Sequence, residues 1–176
     1  MNKVDLVILA GGKGTRIKGL LNNKPKPMAK FNNKYFIEYI IQNFSKYDFE
    51  KIFILTGYKS NIIFSKFHNK KYNFSNITCI NEKKPMGTGG ALHALKEKKI
   101  NDFILVNGDT IFDIDLKSLI NSLKKKTIAS VALVKNNNNK KNKKLNNLKL
   151  KNGIVTKNGR NNLMNGGVYF FKKNIF

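Results

Sequence analysis

The first group of residues able to do chemistry is Leu9-Ala10-Gly11-Gly12-Lys13-Gly14-Thr15-Arg16. Its glycines let backbone N–H groups approach a polyphosphate that a Cβ would hold off. Thr15 adds a hydroxyl, and Arg16 adds a fork able to grip a phosphate through two bonds. The string is not a Walker A loop, because Gly-x-x-x-x-Gly-Lys-Ser/Thr is absent. Nor is it the dinucleotide fingerprint, because Ile17 stands where the third glycine would fall. Taken alone, such a loop is equally compatible with a tight strand-to-helix turn.

Three more groups follow. In Lys24-Pro25-Lys26-Pro27-Met28 two prolines stiffen the backbone, so Lys26 is carried on a rigid segment. The plain alternative is a proline turn with solvated lysines. Glu82-Lys83-Lys84-Pro85-Met86-Gly87-Thr88-Gly89-Gly90-Ala91-Leu92 joins a strand end to a helix start. Its glycines allow a flat base or ribose to lie against the backbone, and the helix entrance favours anionic oxygen. The alternative is a helix packed closely on a sheet. Asn107-Gly108-Asp109-Thr110 ends a strand, and in an open α/β sheet ligands collect at the carboxyl ends of strands. A carboxylate there, Asp109, can hold Mg²⁺ bridging phosphates.

Other candidates are weaker. Asp113-Ile114-Asp115 has the look of the Asp-x-Asp metal motif of glycosyltransferases, but Asp115 before Leu116 and Leu119 reads as a helix N-cap, and Asp113 stays undecided. His68 and His93 have no partners at ligand spacing and read as surface or packing residues. Cys79 lies mid-strand, where a buried inert thiol is expected.

The elements that position these groups alternate along the chain. Strands are expected at Asp5–Ala10, Lys51–Gly57, Ile77–Glu82, Asp102–Asp109 and Ala129–Lys135. Amphipathic helices are expected at Lys34–Lys46, Ser60–Phe67, Gly89–Lys98 and Asp115–Lys125. This alternation predicts an α/β fold, a Rossmann-like three-layer arrangement on a mostly parallel sheet. Residues 136–147 are almost wholly Asn and Lys, a composition that reads as a mobile connection. Leu148–Lys157 reads as a hairpin turning at Asn152-Gly153. Asn165-Gly166-Gly167 reads as the approach to a last strand, Val168–Phe171, with no closing helix after it.

With 176 residues the chain fits one domain, residues 1–176. No apolar run reaches the roughly 20 residues of a membrane span, so no membrane association is expected. The single cysteine excludes an intrachain disulfide and fits a cytoplasmic setting. A net charge of +24 invites a nucleic-acid reading, but only Arg16 and Arg160 supply forked guanidinium groups. The rest is Lys scattered among Asn, Ile and Phe, residues with A/T-rich codons. No nucleic-acid partner is expected, although such a field draws anionic substrates.

In this order the motifs resemble the sugar-phosphate nucleotidyltransferase family: Leu-Ala-Gly-Gly-x-Gly-Thr-Arg, Pro-Lys-Pro-Met, Pro-Met-Gly-Thr-Gly-Gly-Ala-Leu, Asn-Gly-Asp-Thr and Asn-Gly-Gly-Val-Tyr. Lys24–Ala29 and Leu105–Leu116 look most like the subfamily acting as D-glycero-D-manno-heptose 1-phosphate guanylyltransferases. The resemblance implies transfer of a nucleoside monophosphate, GMP first, from the triphosphate to a sugar 1-phosphate, with Mg²⁺ as cofactor and pyrophosphate released. It implies that Leu9, Gly11, Gly12, Gly14, Thr15 and Arg16 hold the nucleotide, and that Lys26 steadies the α-phosphate, Arg16 and Lys26 being the catalytic pair. Glu82, Gly87 and Thr88 would line the nucleoside region, Asp109 would take the metal, and Asn107, Asn165 and Gly167 would meet the sugar phosphate. A homo-oligomer is compatible with it.

The sequence departs from the family in three places. The usual Glu-Lys pair is replaced by Thr156-Lys157-Asn158-Gly159-Arg160, where Lys157 or Arg160 would substitute. The Asn/Lys run replaces a more ordered connection. The later sugar-contacting Glu and second metal-binding Asp do not follow, so the chain reads as C-terminally truncated. The competing readings are a mannose- or glucose-1-phosphate nucleotidyltransferase using another base, a glycosyltransferase using Asp113 and Asp115, and a non-catalytic nucleotide-binding remnant.

Overall fold

The computed structural model describes residues 3–14, 21, 23–82, 87–135, 148–157 and 163–176. Strand β1 (Val4–Ala10) is buried along both faces, which explains why it reads as an unbroken apolar run. After it come β2 (Lys30–Phe31), β3 (Lys34–Tyr35), α1 (Phe36–Phe44), β4 (Phe49–Thr56) and α2 (Ser60–Phe67). Next are β5 (Lys71–Tyr72), β6 (Ser75–Asn81), α3 (Gly87–His93), β7 (Asp102–Asn107), α4 (Leu116–Asn121) and β8 (Ala129–Lys135). A hairpin of β9 (Leu148–Lys151) and β10 (Ile154–Lys157) precedes β11 (Leu163–Phe171).

The main sheet runs β10-β9-β11-β7-β1-β4-β6-β5, with β8 also paired to β11. Strands β7, β1, β4 and β6 are mutually parallel, and β11 adds antiparallel to β7 with Val168 opposite Val106. The α/β reading therefore holds. Alternation along the strands sends Leu6, Ile8, Ala10, Ile52, Ile54, Ile104 and Val106 to one face, under α1, α2 and α4. Val7, Phe53, Leu55, Phe103 and Leu105 go to the other, under Ala91, Leu92 and Leu95. These two cores give the three layers. No helix among the described residues is long and apolar enough to cross a membrane.

Several boundaries differ from the sequence expectation, each for a local reason. Helix α1 begins at Phe36 because Lys34–Tyr35 pair with Lys30–Phe31 across Asn32-Asn33, both in the left-handed region at φ 44° and 64°. The Glu38 carboxylate then accepts the Tyr35 N–H at 2.6 Å and closes the first turn. Helix α3 occupies Gly87–His93, and the chain beyond tightens into i→i+3 bonds, Ala94 to Ala91 and Leu95 to Leu92. Helix α4 stops at Asn121, where the Ser122 N–H caps back onto the Ser118 and Ile120 carbonyls. Asn165-Gly166-Gly167 lies inside β11, at an irregularity in its pairing with β8 between Asn165 and Tyr169. A short 3-10 turn, Lys173–Ile175, follows β11.

The Asn152-Gly153 hairpin is present, with φ 50° and 74° as a type I′ turn requires. Residues 136–147, read as a mobile connection, lie outside the described residues.

Candidate active site

The strand order reverses beside β1: β4 and β6 lie on one side of it, and β7 on the other. Crevices at such a reversal, beyond the carboxyl ends of the strands, are where α/β sheets bind ligands. A cleft of about 360 Å³ opens there, lined by Leu9, Gly11, Gly12, Glu82, Gly87, Ala91, Asn107, Gly108 and Asp109. Residues from three separate sequence motifs thus meet in one place.

The floor is backbone. The Gly108 N–H donates to the Leu9 carbonyl oxygen at 2.8 Å, and a Cβ on Gly108 would fall on that same oxygen. Only glycine lets β1 and β7 stay that close one residue beyond their last pair, Leu9 opposite Asn107. Pro27 packs against Gly108 from the side, its Cγ 3.3 Å from where a Cβ would lie.

Lys26 reaches the lining residue Asp109 from a separate segment. The segment Lys26–Met28 is a 3-10 turn, with Pro27 and Met28 buried and the Met28 N–H donating to the Pro25 carbonyl at 2.8 Å. Gly14, at φ 61°, passes against the Lys26 stem, where a Cβ would lie 3.2 Å from Lys26 Cβ. The backbone of Lys26 is therefore pinned while its ammonium reaches Asp109 Oδ2, at the edge of the cleft, at 2.7 Å. Thr110 Oγ1 donates to the other carboxylate oxygen at 3.0 Å. Burial on its own would raise the Asp109 pKa, but the hydrogen bonds from Lys26 and Thr110 and the Lys26 charge outweigh it. The carboxyl stays below the usual range.

One wall holds Glu82, whose N–H donates to the Thr56 carbonyl at 2.8 Å, so the residue continues the β6 edge. Its Oε2 lies 3.4 Å from the position a Cβ on Gly11 would take. Desolvation pushes its pKa up.

On the β11 side, Gly167 lies against the Asn107 side chain at φ 80°, and its N–H donates to Asn165 Oδ1 at 2.8 Å. Asn165 Nδ2 also donates to the Tyr169 hydroxyl. Asn107, Asn165 and Gly167 therefore form one corner beside the cleft. Lys157 stands further off, opposite Leu148, which is itself opposite Leu163 on β11. Thr15, Arg16 and Arg160 lie outside the described residues. Thr88 lies in α3, and its side chain is outside the described part.

The remaining candidates belong elsewhere. Asp115 caps α4, accepting from the Lys117 N–H at 3.0 Å and from Ser118 Oγ at 2.6 Å. The Asp113 side chain, 97% exposed, pairs with Lys46 at 3.4 Å. The two carboxylates thus have separate partners. His68 Nδ1 accepts the Cys79 N–H at 3.1 Å, while its ring lies against Phe64. Burial pushes the Cys79 thiol up to about 12, which removes it as a nucleophile.

A smaller cavity of about 170 Å³, lined by Leu6, Phe44, Phe49 and Phe74 among others, lies toward the amino ends of the strands. It faces none of the glycine motifs. The sequence reading missed the buried Asp5, which accepts the Lys51 and Asn101 N–H groups at 3.1 and 2.8 Å and ties β1, β4 and the start of β7 together. An acid inside an otherwise apolar strand was the available signal.

The strand reversal of this α/β sheet thus carries a cleft with a backbone floor, with Asp109 in its lining and Lys26 paired to that acid. Residues 6–176 match the nucleotidyl transferase family, and the chain belongs to it. It is similar to the D-glycero-alpha-D-manno-heptose 1-phosphate guanylyltransferase of Aneurinibacillus thermoaerophilus, 35% identical over 117 residues that cover 66% of this chain and 50% of that protein. The bifunctional protein GlmU of Methanococcus aeolicus is 36% identical over 184 residues, covering 98% of this chain and 41% of that one. Among solved structures, HddC from Yersinia pseudotuberculosis complexed with GMP-PN superposes with a TM-score of 0.75 at 28% identity, covering 98% of this chain and 78% of that chain. The chain spans about half the length of curated guanylyltransferase relatives that it matches.

Proposed function

We propose that this chain transfers a nucleoside monophosphate, GMP, from its triphosphate to a sugar 1-phosphate, heptose 1-phosphate first, and releases pyrophosphate. The observation that carries this reading is the Lys26–Asp109 pair, 2.7 Å apart, at the mouth of a cleft floored by Leu9 and Gly108 backbone. Such transfer needs no protein nucleophile. The sugar phosphate oxygen attacks the α-phosphorus in line, and the protein positions the reactants and stabilises charge. Lys26 supplies an ammonium where negative charge develops, and the Gly11–Gly12 backbone leaves room for the phosphates. Thr15 and Arg16 would add phosphate contacts from the same loop. Asn107, Asn165 and Gly167 face the side where a sugar phosphate would enter, with Lys157 beyond them.

Guanine is supported by Glu82. An ionised carboxylate offers only acceptors, and the guanine edge offers two adjacent donors, N1–H and the N2 amine. Uracil and thymine present one donor flanked by carbonyl oxygens, which a carboxylate repels.

The donor set also fits Mg²⁺. Among the described residues no three His, Cys, Asp or Glu side chains converge. Mg²⁺ characteristically takes one or two carboxylates and fills its shell with phosphate oxygens and water. Asp109 would hold it, and the ion would neutralise charge on the triphosphate. Similarity to the heptose 1-phosphate guanylyltransferases supports the sugar-phosphate class.

The test is pyrophosphate release by the purified protein with four nucleoside triphosphates against heptose, mannose and glucose 1-phosphates. GTP with heptose 1-phosphate is expected to give the highest kcat/KM. No release with any pair would overturn the reading, and consumption of nucleotide sugar instead would favour the glycosyltransferase.

A further inference from the structure

The Asp109 carboxylate already has a donor on each oxygen: Lys26 Nζ on Oδ2 at 2.7 Å and Thr110 Oγ1 on Oδ1 at 3.0 Å. One is neutral and comes from the next residue. The other carries a full charge and comes from a separate segment of the chain. We propose that Lys26 is the resident counter-ion of Asp109, that a divalent cation must displace it to reach the carboxylate, and that this displacement delivers Lys26 to the triphosphate. The inference rests on the assignment of Asp109 as the cation's carboxylate.

Three features of the site support an exchange over a fixed bridge. The ammonium and a divalent cation contest one carboxylate, and like charges at that distance repel. Both side chains are more than a third exposed, at 36% and 40%, so the pair is an openable contact of modest strength. The Lys26 backbone is held by the 3-10 turn, by buried Pro27 and Met28, and by Gly14 against its stem. Leaving Asp109 therefore takes rotation of the side chain only, and the ammonium stays over the cleft mouth. A triphosphate arriving with the cation provides the replacement anion. Cation and triphosphate then favour each other's binding through Lys26, by equal factors in either order.

The experiment is a titration of the full chain with Mn²⁺ alone, followed by calorimetry and by the electron paramagnetic resonance of free Mn²⁺. Lys26→Gln is expected to bind Mn²⁺ about fivefold tighter than the wild type, the size of an exposed ion pair. Lys26→Met should do the same, whereas Lys26→Arg, which keeps the charge, should not tighten. Lys30→Gln makes the same change of net charge outside the cleft and should leave Mn²⁺ affinity unchanged. Asp109→Asn should abolish tight Mn²⁺ binding in every background. In a second titration, Mn²⁺ should raise GTP affinity by a larger factor in the wild type than in Lys26→Gln.

Equal Mn²⁺ affinity in the wild type and both neutral Lys26 variants, with Asp109→Asn still losing the ion, would overturn the exchange and leave the metal assignment standing. Equal tightening by Lys30→Gln would replace the contact with a general charge effect, and also overturn it. Retained Mn²⁺ binding in Asp109→Asn would remove both the exchange and the metal assignment.

Discussion

The Gly108 N–H donates to the Leu9 carbonyl oxygen at 2.8 Å, and that oxygen also fills the space where a Gly108 side chain would begin. The contact joins β1 to β7 at the cleft floor, so the floor's shape depends on one residue having no Cβ. Gly108→Ala should lower stability by about 1–3 kcal/mol, the usual cost of forcing an extra carbon into packed backbone, and weaken triphosphate binding as well. A Cβ on Gly12 would meet no atom of the described residues within 4 Å. Gly12→Ala should therefore keep stability within about 0.5 kcal/mol of the parent. Urea unfolding of both variants checks the contrast, and equal midpoints would refute it.

Removal of the Lys26 ammonium separates catalysis from folding. Lys26→Ala should reduce turnover on the order of a hundredfold, equivalent to about 3 kcal/mol of electrostatic transition-state stabilisation. Its unfolding midpoint should move little, because the ion pair it breaks is partly exposed. Near-normal pyrophosphate release by this variant would sink the assignment of Lys26.

The proposed role of Glu82 makes base choice depend on pH. Its pKa is raised by desolvation, so the carboxyl is still neutral at pH values where an ordinary glutamate has ionised. On the proposed reading the ionised form is the one that would accept from guanine, so KM for GTP should fall as pH rises through that raised pKa. Stability moves the other way. A raised folded-state pKa favours the fold while Glu82 is protonated, and that margin is lost as pH climbs through the folded value. Glu82→Gln should flatten the KM profile and shrink the preference for GTP over UTP by roughly tenfold, the effect of one mismatched buried hydrogen bond. An unchanged base preference would show that the backbone alone reads the base.

Asp109 and Asp113 lie four residues apart and should behave as opposites. Asp113→Asn removes a surface pair with Lys46 and should leave turnover unchanged, while Asp109→Asn should remove most of it. The reverse result would favour the Asp-x-Asp glycosyltransferase.

Cys79 offers a reporter of unfolding. With its pKa pushed up to about 12 and its side chain buried, the thiol should resist a disulfide reagent at neutral pH until the sheet opens. The labelling rate should follow the unfolding rate, and fast labelling of native protein would contradict the burial.

The parallel strands and the glycine loops were legible in the sequence because each is encoded locally: β1 by its apolar run, β7 by Phe103–Val106 ending in Asn107-Gly108-Asp109. The elements missed were those of two residues, β2, β3 and β5, which are too short for a period to register. Asn165-Gly166-Gly167 was misplaced for a different reason. Two consecutive glycines signal a turn, but pairing with β8 on either side of a bulge keeps them in β11. That Lys26 reaches Asp109, 83 positions away, could not be read from spacing at all, because the strand reversal beside β1 brings them together. Asp5 was passed over because its donors, the Lys51 N–H and the backbone and side-chain amides of Asn101, are brought in by distant segments of the chain.

Strands β1 and β7 remain paired from Val4 opposite Asp102 to Leu9 opposite Asn107, so the base of the cleft is stitched into the middle of the sheet. Amides there should exchange with deuterium only when the whole domain opens, whereas Gly11–Gly14 lie beyond the last ladder pair of β1, Ala10 opposite Thr56, and should exchange sooner. A base this stiff cannot be reshaped for a new ligand without endangering the fold. Any drift in what the protein accepts has to be written in the rims, in the loop after β1 and in the corner made by Glu82 and Gly87, and a library aimed at new substrates belongs there.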